Sequence, residues 1–122
     1  MSVTPSNQNT GKLGEQIGED YLKKLGYQIL ERNVRFPFGE IDLIAFHRGT
    51  LVFVEIKTRR DQTFGYPEEA VGEHKKSQLI RLASWYLVRH PRLRSSVRFD
   101  VLAIQMEGAK PSVRLIENAF EL

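Results

Sequence analysis

Apolar residues recur along this chain with two different periods, and the switches between them divide it into elements. From about Lys12 to Leu25 the period is helical: Leu13, Ile17, Tyr21 and Leu25 form one stripe, and Gly26 follows as a stop signal. Gly14 and Gly18 lie on the same side, where they permit close backbone approach. Tyr27 to Asn33 reads as a first strand. Two further apolar segments follow, Gly39 to Phe46 and Leu51 to Thr58, separated only by His47-Arg48-Gly49-Thr50. A second helix is expected from Glu68 or Glu73 to Arg89, with Leu79, Leu82, Ala83 and Tyr86 as its buried stripe. It ends before His90-Pro91. Val97 to Ile104 reads as a fourth strand and Val113 to Ile116 as a fifth. Arg59 to Pro67 is a polar, Gly- and Pro-containing loop placed to be mobile and to touch a substrate.

The two central segments read as a β-hairpin. With Arg48-Gly49 as a two-residue turn, His47 faces Thr50; a four-residue loop pairing Phe46 with Leu51 gives the same register. In that register Asp42 lies opposite Glu55, and Glu40 opposite Lys57. Cross-strand partners bring their Cβ atoms to about 4.5–5.5 Å. Two carboxylates that close repel, and a hard divalent cation would remove the repulsion. Lys57 would then sit beside the metal. The competing reading is an exposed sheet face, where acids and Lys alternate with apolar residues routinely. Ile44, Phe46 and Phe53 share the face of the acids, which favours a pocket over a solvated surface.

Outside this pair the chemistry is sparser. Glu15 lies at the edge of the first helix's stripe and can reach a site against the sheet, whereas Glu19 points further away, towards solvent. Lys75 falls on the second helix's stripe, where it either enters a cleft or snorkels. His47, His74 and His90 show no metal-ligand spacing, and His47 and His90 are expected at the surface. Asp100 suits a structural partner for an arginine. Trp85 lies off its helix's main stripe, as a core-edge residue or one that stacks on a base or fills a dimer contact.

The chain has 122 residues, 41% hydrophobic and 27% charged, which suits one globular domain. That domain is expected over residues 11–122, after a short disordered lead over residues 1–10. With no cysteine, disulfides, thiolate zinc sites and cysteine nucleophiles are excluded. No apolar run approaches the ~20 residues of a membrane span, and Ser2 to Thr10 has no signal-peptide core. A cytoplasmic protein is the expectation. Net charge is +3, but Gly72 to Arg98 alone carries +6, from Lys75, Lys76, Arg81, Arg89, Arg92, Arg94 and Arg98 against Glu73. A basic lobe beside an acidic pocket suits a protein that grips a phosphate backbone. A solvated helix with basic residues near its C-terminus would account for Arg89.

Asp42 followed by Glu55-Ile56-Lys57 resembles the D-x(n)-E-x-K core of the PD-(D/E)xK nuclease superfamily, with Ile41 in place of the motif's proline. Gly11-Lys12-Leu13-Gly14-Glu15, Asn33-Val34-Arg35, Gly39-Glu40-Ile41-Asp42-Leu43-Ile44, Phe53 to Arg59, Phe64-Gly65 and Ala70-Val71 fall in the order of the YraN-like family of bacterial proteins. That family's fold resembles archaeal Holliday-junction resolvases. The resemblance runs from about Gly11 to the C-terminus. It implies an α/β, restriction-endonuclease-like fold, with a mixed central β-sheet flanked by helices. It also implies a metal-dependent DNA endonuclease acting on branched or structured DNA, and a homodimer. In that scheme Asp42, Glu55 and the Ile56 carbonyl hold Mg²⁺ or Mn²⁺, and Glu15 is an outer or second-metal ligand. Lys57 orients water or stabilises charge on phosphate, and Glu40 supports the ligands from outside. Arg59, Arg60, Lys75, Lys76, Arg92 and Arg94 are the candidate phosphate contacts. Two other functions compete: a non-catalytic nucleic-acid-binding module with the same fold, and an interaction protein using a sheet edge and Trp85.

Overall fold

The computed structural model of the chain describes residues 7–60, 72–93, 96–106 and 110–120. Its elements are α1 (Asn7–Lys24), β1 (Gln28–Phe36), β2 (Gly39–His47), β3 (Thr50–Arg59), α2 (Glu73–Arg89), β4 (Ser96–Gln105) and β5 (Ser112–Phe120). The five strands form one sheet in the order β1-β2-β3-β4-β5. Only β3 and β4 are parallel, because α2 lies between them in sequence and carries the chain back across the sheet. The other neighbours are antiparallel. This is the mixed α/β sheet expected, and it is compatible with a restriction-endonuclease-like fold.

One helix covers each face of the sheet. Leu22 of α1 packs with Leu43, Ala45, Val52, Val54, Ile56, Leu102 and Ile104 on one side. Leu79, Leu82, Ala83 and Tyr86 of α2 pack with Ile44, Leu51, Phe53 and Phe99 on the other. Consecutive β3 residues alternate between these layers, as the two-residue strand period requires. Phe53 and Glu55 therefore share the α2 side. Among the described residues no helix is long and apolar enough to cross a membrane.

Helix α1 starts at Asn7 rather than Lys12. Its first turn carries no apolar periodicity, so a pattern of buried positions cannot find it, whereas extending a formed helix by a turn is cheap. Residues 1–6 of the expected lead, and most of the loop after β3, lie outside the described residues. At the C-terminus of α1 the Gly26 N–H donates to Lys23 O and the Tyr27 N–H to Leu22 O, both at 3.0 Å. With Gly26 at φ +91° this is a Schellman cap, which ends the helix where the sequence pattern places it.

Close approach of α1 to the sheet depends on two glycines. A Cβ at Gly14 would stand 2.1 Å from Thr58 Oγ1, and one at Gly18 would stand 2.7 Å from Leu102 Cδ2. Gly11, also in α1, has nothing within 4 Å of that position. The two sites should respond oppositely to alanine. Gly11→Ala should stabilise the fold by up to about 1 kcal/mol through helix propensity. Gly14→Ala should destabilise it by about 1–3 kcal/mol, because β-branched Thr58 cannot rotate clear. Urea unfolding of both variants measures this; equal shifts of the same sign would contradict the packing account.

Candidate metal centre

The hairpin forms with Arg48 and Gly49 both at positive φ, 52° and 75°, the geometry of a type I′ turn. The register is the expected one: His47 pairs with Thr50, Phe46 with Leu51, and so on to Leu43 with Val54. There the ladder ends. Asp42 does not face Glu55 across a backbone pair. Its Oδ2 instead accepts a 2.8 Å hydrogen bond from the Ile56 N–H, so a side chain takes the place of the next backbone acceptor. In an antiparallel pair one residue presents both its N–H and its C=O to the same neighbour. The Ile56 carbonyl thus leaves β3 on the edge that faces Asp42. The expected pairs Asp42–Glu55 and Glu40–Lys57 are replaced by a fork between β2 and β3.

Four carboxyl groups gather at the fork. Oxygens of Glu15, Glu40 and Asp42 all lie within 4.8 Å of one another. Glu55 is 5% exposed and close enough to act on Asp42 electrostatically. Burial, reinforced by the charge of Glu55, pushes the Asp42 carboxyl up to about 7; the Ile56 N–H opposes this and the Glu15 and Glu40 charges add to it. Glu15 is also raised, by burial and then by Glu40, while an Asn33 side-chain hydrogen bond and Lys12 pull it back.

Glu55 is used asymmetrically. Its Oε1 meets Lys57 Nζ at 3.3 Å and Lys75 Nζ, from α2, at 3.5 Å. Its Oε2 is buried and accepts no hydrogen bond from the protein. A buried carboxylate oxygen without a donor is costly. Beside an acid already resisting ionisation, a cation would offset that cost. Mg²⁺ or Mn²⁺ suits an all-oxygen set of this kind. The donors brought together fit a divalent metal: Glu15, Glu40 and Asp42, with the Ile56 carbonyl and Glu55 beside them.

Several expectations change on contact with the structure. Glu19 is not a solvated helix acid but is 6% exposed. It accepts from Arg32 Nε at 2.8 Å and pairs with Lys23 at 3.1 Å. The Arg32 hydrogen bond holds its carboxyl down at about 2. His47 is not a surface turn residue: it is 4% exposed, stacked at 4.0 Å on Tyr27. Its Nδ1 lies 2.7 Å from Arg98 Nη2, and since arginine only donates, that nitrogen accepts. Asp100 is the structural arginine partner expected, 2.9 Å from Arg98 Nε and also accepting from Tyr27 Oη and the Asn118 N–H. Arg98 therefore leaves the basic surface. His90 is exposed, as expected, against Tyr86.

Of the candidate phosphate contacts, Arg59 ends β3 and Arg60 follows it at the fork end of the sheet, and Lys75 enters the fork itself. Lys76 pairs with Glu73 at 3.4 Å. Arg92 lies past the far end of α2, whose stretch from Lys75 to Arg89 is about 21 Å long at 1.5 Å per residue. Arg94 is outside the described residues. Asn33, at φ 49° and bonded to Glu15, had a place in the sequence motif but no role. An asparagine in a strand at a left-handed φ is the signal that marks it.

The sequence matches the profile of uncharacterised protein family UPF0102 over residues 14–104, a span that includes every residue of the fork. The chain belongs to UPF0102, the YraN-like family. It is 42% identical to the UPF0102 protein of Syntrophotalea carbinolica, over 98% of both chains. With the UPF0102 protein of Pelobacter propionicus the identity is 47%, over 99% of this chain and 89% of the relative. With that of Symbiobacterium thermophilum it is also 47%, over 93% and 98%.

The raised Asp42 carboxyl gives this UPF0102 protein a specific pH response. Without metal, the folded state keeps the Asp42 proton up to about 7, whereas the unfolded chain loses it near the ordinary 3.8. The folded state therefore binds the extra proton across that window, and stability falls as pH rises through it. Asp42→Asn keeps an acceptor for the Ile56 N–H and removes the titration. In chelator, urea unfolding from pH 4.5 to 8 should show the variant losing less stability than the wild type, by up to a few kcal/mol. Parallel curves would contradict the assignment.

Proposed function

We propose that the chain is a metal-dependent endonuclease that hydrolyses phosphodiesters in DNA, at branched or structured sites. The observation that carries this reading is the buried, unpartnered Glu55 Oε2 beside the proton-retaining Asp42, with two ammonium groups on the opposite Glu55 oxygen. Asp42, Glu55 and the Ile56 carbonyl would hold Mg²⁺ or Mn²⁺, with Glu15 as an outer ligand. A bound divalent ion supplies Lewis-acid activation of phosphate and water. The chain's own groups do the rest. Glu55 fixes Lys57, which is 30% exposed and so can reach a substrate while anchored. From there Lys57 orients the attacking water or meets the charge that grows on phosphate. Lys75 completes the neutralisation from α2, and Arg59, Arg60 and Lys76 track the backbone nearby. Arg92 would extend the contact past the far end of α2, with Arg94 following it in sequence. Two chains as a homodimer, which the likeness to resolvases implies, would cut two strands of one structure.

A non-catalytic binding module explains less. Carboxylates beside DNA phosphates repel them, and binding alone has no use for an acid held at the edge of ionisation.

Lys57→Ala separates the two. It should reduce Mn²⁺-dependent nicking of junction and flap DNA on the order of 10²–10³-fold, and change binding little, since Lys57 is one cation among several. Arg92→Ala combined with Arg94→Ala should instead weaken binding and leave the single-turnover rate of bound substrate unchanged. A wild type that cuts no duplex, flap, junction or single-stranded DNA with either metal would transfer the case to the binding module.

A further inference from the structure

An exposed aromatic and arginine surface adjoins the fork. Trp85 on α2 is 37% exposed. Its ring meets Phe36 at 5.7 Å and Phe38 at 5.2 Å, both edge to face. These two phenylalanines flank the turn between β1 and β2, and Gln78 Nε2 ties that turn to α2 by donating to the Phe38 carbonyl at 2.7 Å. Arginines cover the rings. The Arg81 guanidinium lies 4.2 Å from the Phe38 centroid, and that of Arg89 lies 4.1 Å from Trp85. Arg35, 82% exposed at its side chain, stands on the same turn and pairs with Glu40. Phe38 is two residues from Glu40, at most about 7 Å along an extended chain. Trp85 is ten residues from Lys75, about 15 Å along the helix. The platform thus begins beside the carboxylates and runs away from them along α2.

We propose that this platform binds unpaired nucleobases of a single-stranded segment next to the phosphodiester at the fork. A base can stack on the guanidinium planes that cap these rings or take their place on the ring faces, and the cations can follow phosphates, the combination that single-strand recognition uses. Guanidinium planes stack on bases as well. Self-association through the same patch is disfavoured by charge: a twofold contact would set Arg35, Arg81 and Arg89 against their own copies. As a statement about substrate the inference rests on the nuclease reading, and it narrows the substrate to DNA with unpaired bases, such as flaps and opened branch points. The stacking contact itself is tested without cleavage.

Trp85 is the only tryptophan in the chain, so fluorescence excited where tyrosine does not absorb reports on this surface alone. Titration of the whole protein, in chelator, with a twelve-nucleotide oligothymidylate should quench that fluorescence saturably. A blunt duplex of the same length should bind more weakly and quench less. Trp85→Leu should weaken oligothymidylate binding, read by anisotropy of a labelled strand, about 5- to 150-fold, the loss of one stacked base, with duplex binding nearly unchanged. Arg81→Ala with Arg89→Ala alters only exposed side chains, keeps the probe, and should also weaken single-strand binding selectively. No quenching, whether the oligonucleotide binds elsewhere or not at all, would overturn the inference. So would quenching that tracks protein concentration rather than oligonucleotide, the mark of a contact between copies. Lys57-dependent cleavage without quenching would leave the nuclease reading standing and remove this one; quenching without any cleavage would do the reverse.

Discussion

The hydrogen bond from the Ile56 N–H to Asp42 organises the functional end of this molecule. A backbone donor in the middle of a sheet must find an acceptor. Where β2 turns away from β3, the acceptor is a carboxylate oxygen, at 2.8 Å. That one substitution opens the ladder after Leu43–Val54. It draws the Asp42 carboxyl in beside β3, where burial and the charge of Glu55 hold its proton on. The Ile56 carbonyl shares the same edge. Acids, carbonyl and lysines come together because the sheet splits there.

The rest of the fold delivers groups to that split. Gly14 and Gly18 let α1 lie against Thr58 and Leu102, which brings Glu15 to Asp42 and Glu40. On the opposite face the α2 stripe seats on Phe53 and Ile44, and its first turn aims Lys75 at Glu55. Negative charge thus comes from α1, β2 and β3, and positive charge from α2 and β3. The arrangement holds acids at the centre with cations at one flank. Further along α2 the same helix carries the Trp85 platform, so a strand crossing from fork to platform would follow one rigid element.

What the sequence disclosed was what short-range chemistry decides. Gly49 marks the hairpin turn, and because a two-residue and a four-residue loop give the same register, strand alternation does the rest. Gly26 marks its cap, and the stripe Leu79, Leu82, Ala83 and Tyr86 is buried as its spacing implies. Asp42, Glu55 and Lys57 stand out because charge is unexpected in such apolar strands. The opacity begins where partners are far apart in the chain. Arg98 reaches Tyr27 and His47, and Arg32 reaches Glu19, across separations that no local pattern encodes. Hence Arg98 reads as surface charge, and His47 and Glu19 as solvated. The fork was missed for a related reason: alternation predicts a ladder that continues, and only the side-chain acceptor on Asp42 reveals that it stops. Glu40 was placed outside the ligand set, yet the turn that follows Phe36 folds it into the carboxylate group.

The central claim is that the fork carries an excess of buried negative charge that one divalent ion relieves. Calorimetric titration of Mn²⁺ at about pH 6.5, in two buffers of different ionisation enthalpy, tests it most directly. Half-protonated Asp42 must lose its proton to become a ligand, so binding should release protons and the heat should differ between the buffers. Asp42→Asn should abolish the proton release and most of the affinity, and Glu55→Gln should abolish binding. A wild type that shows no saturable heat, or that binds equally well in both variants without releasing protons, would contradict the account.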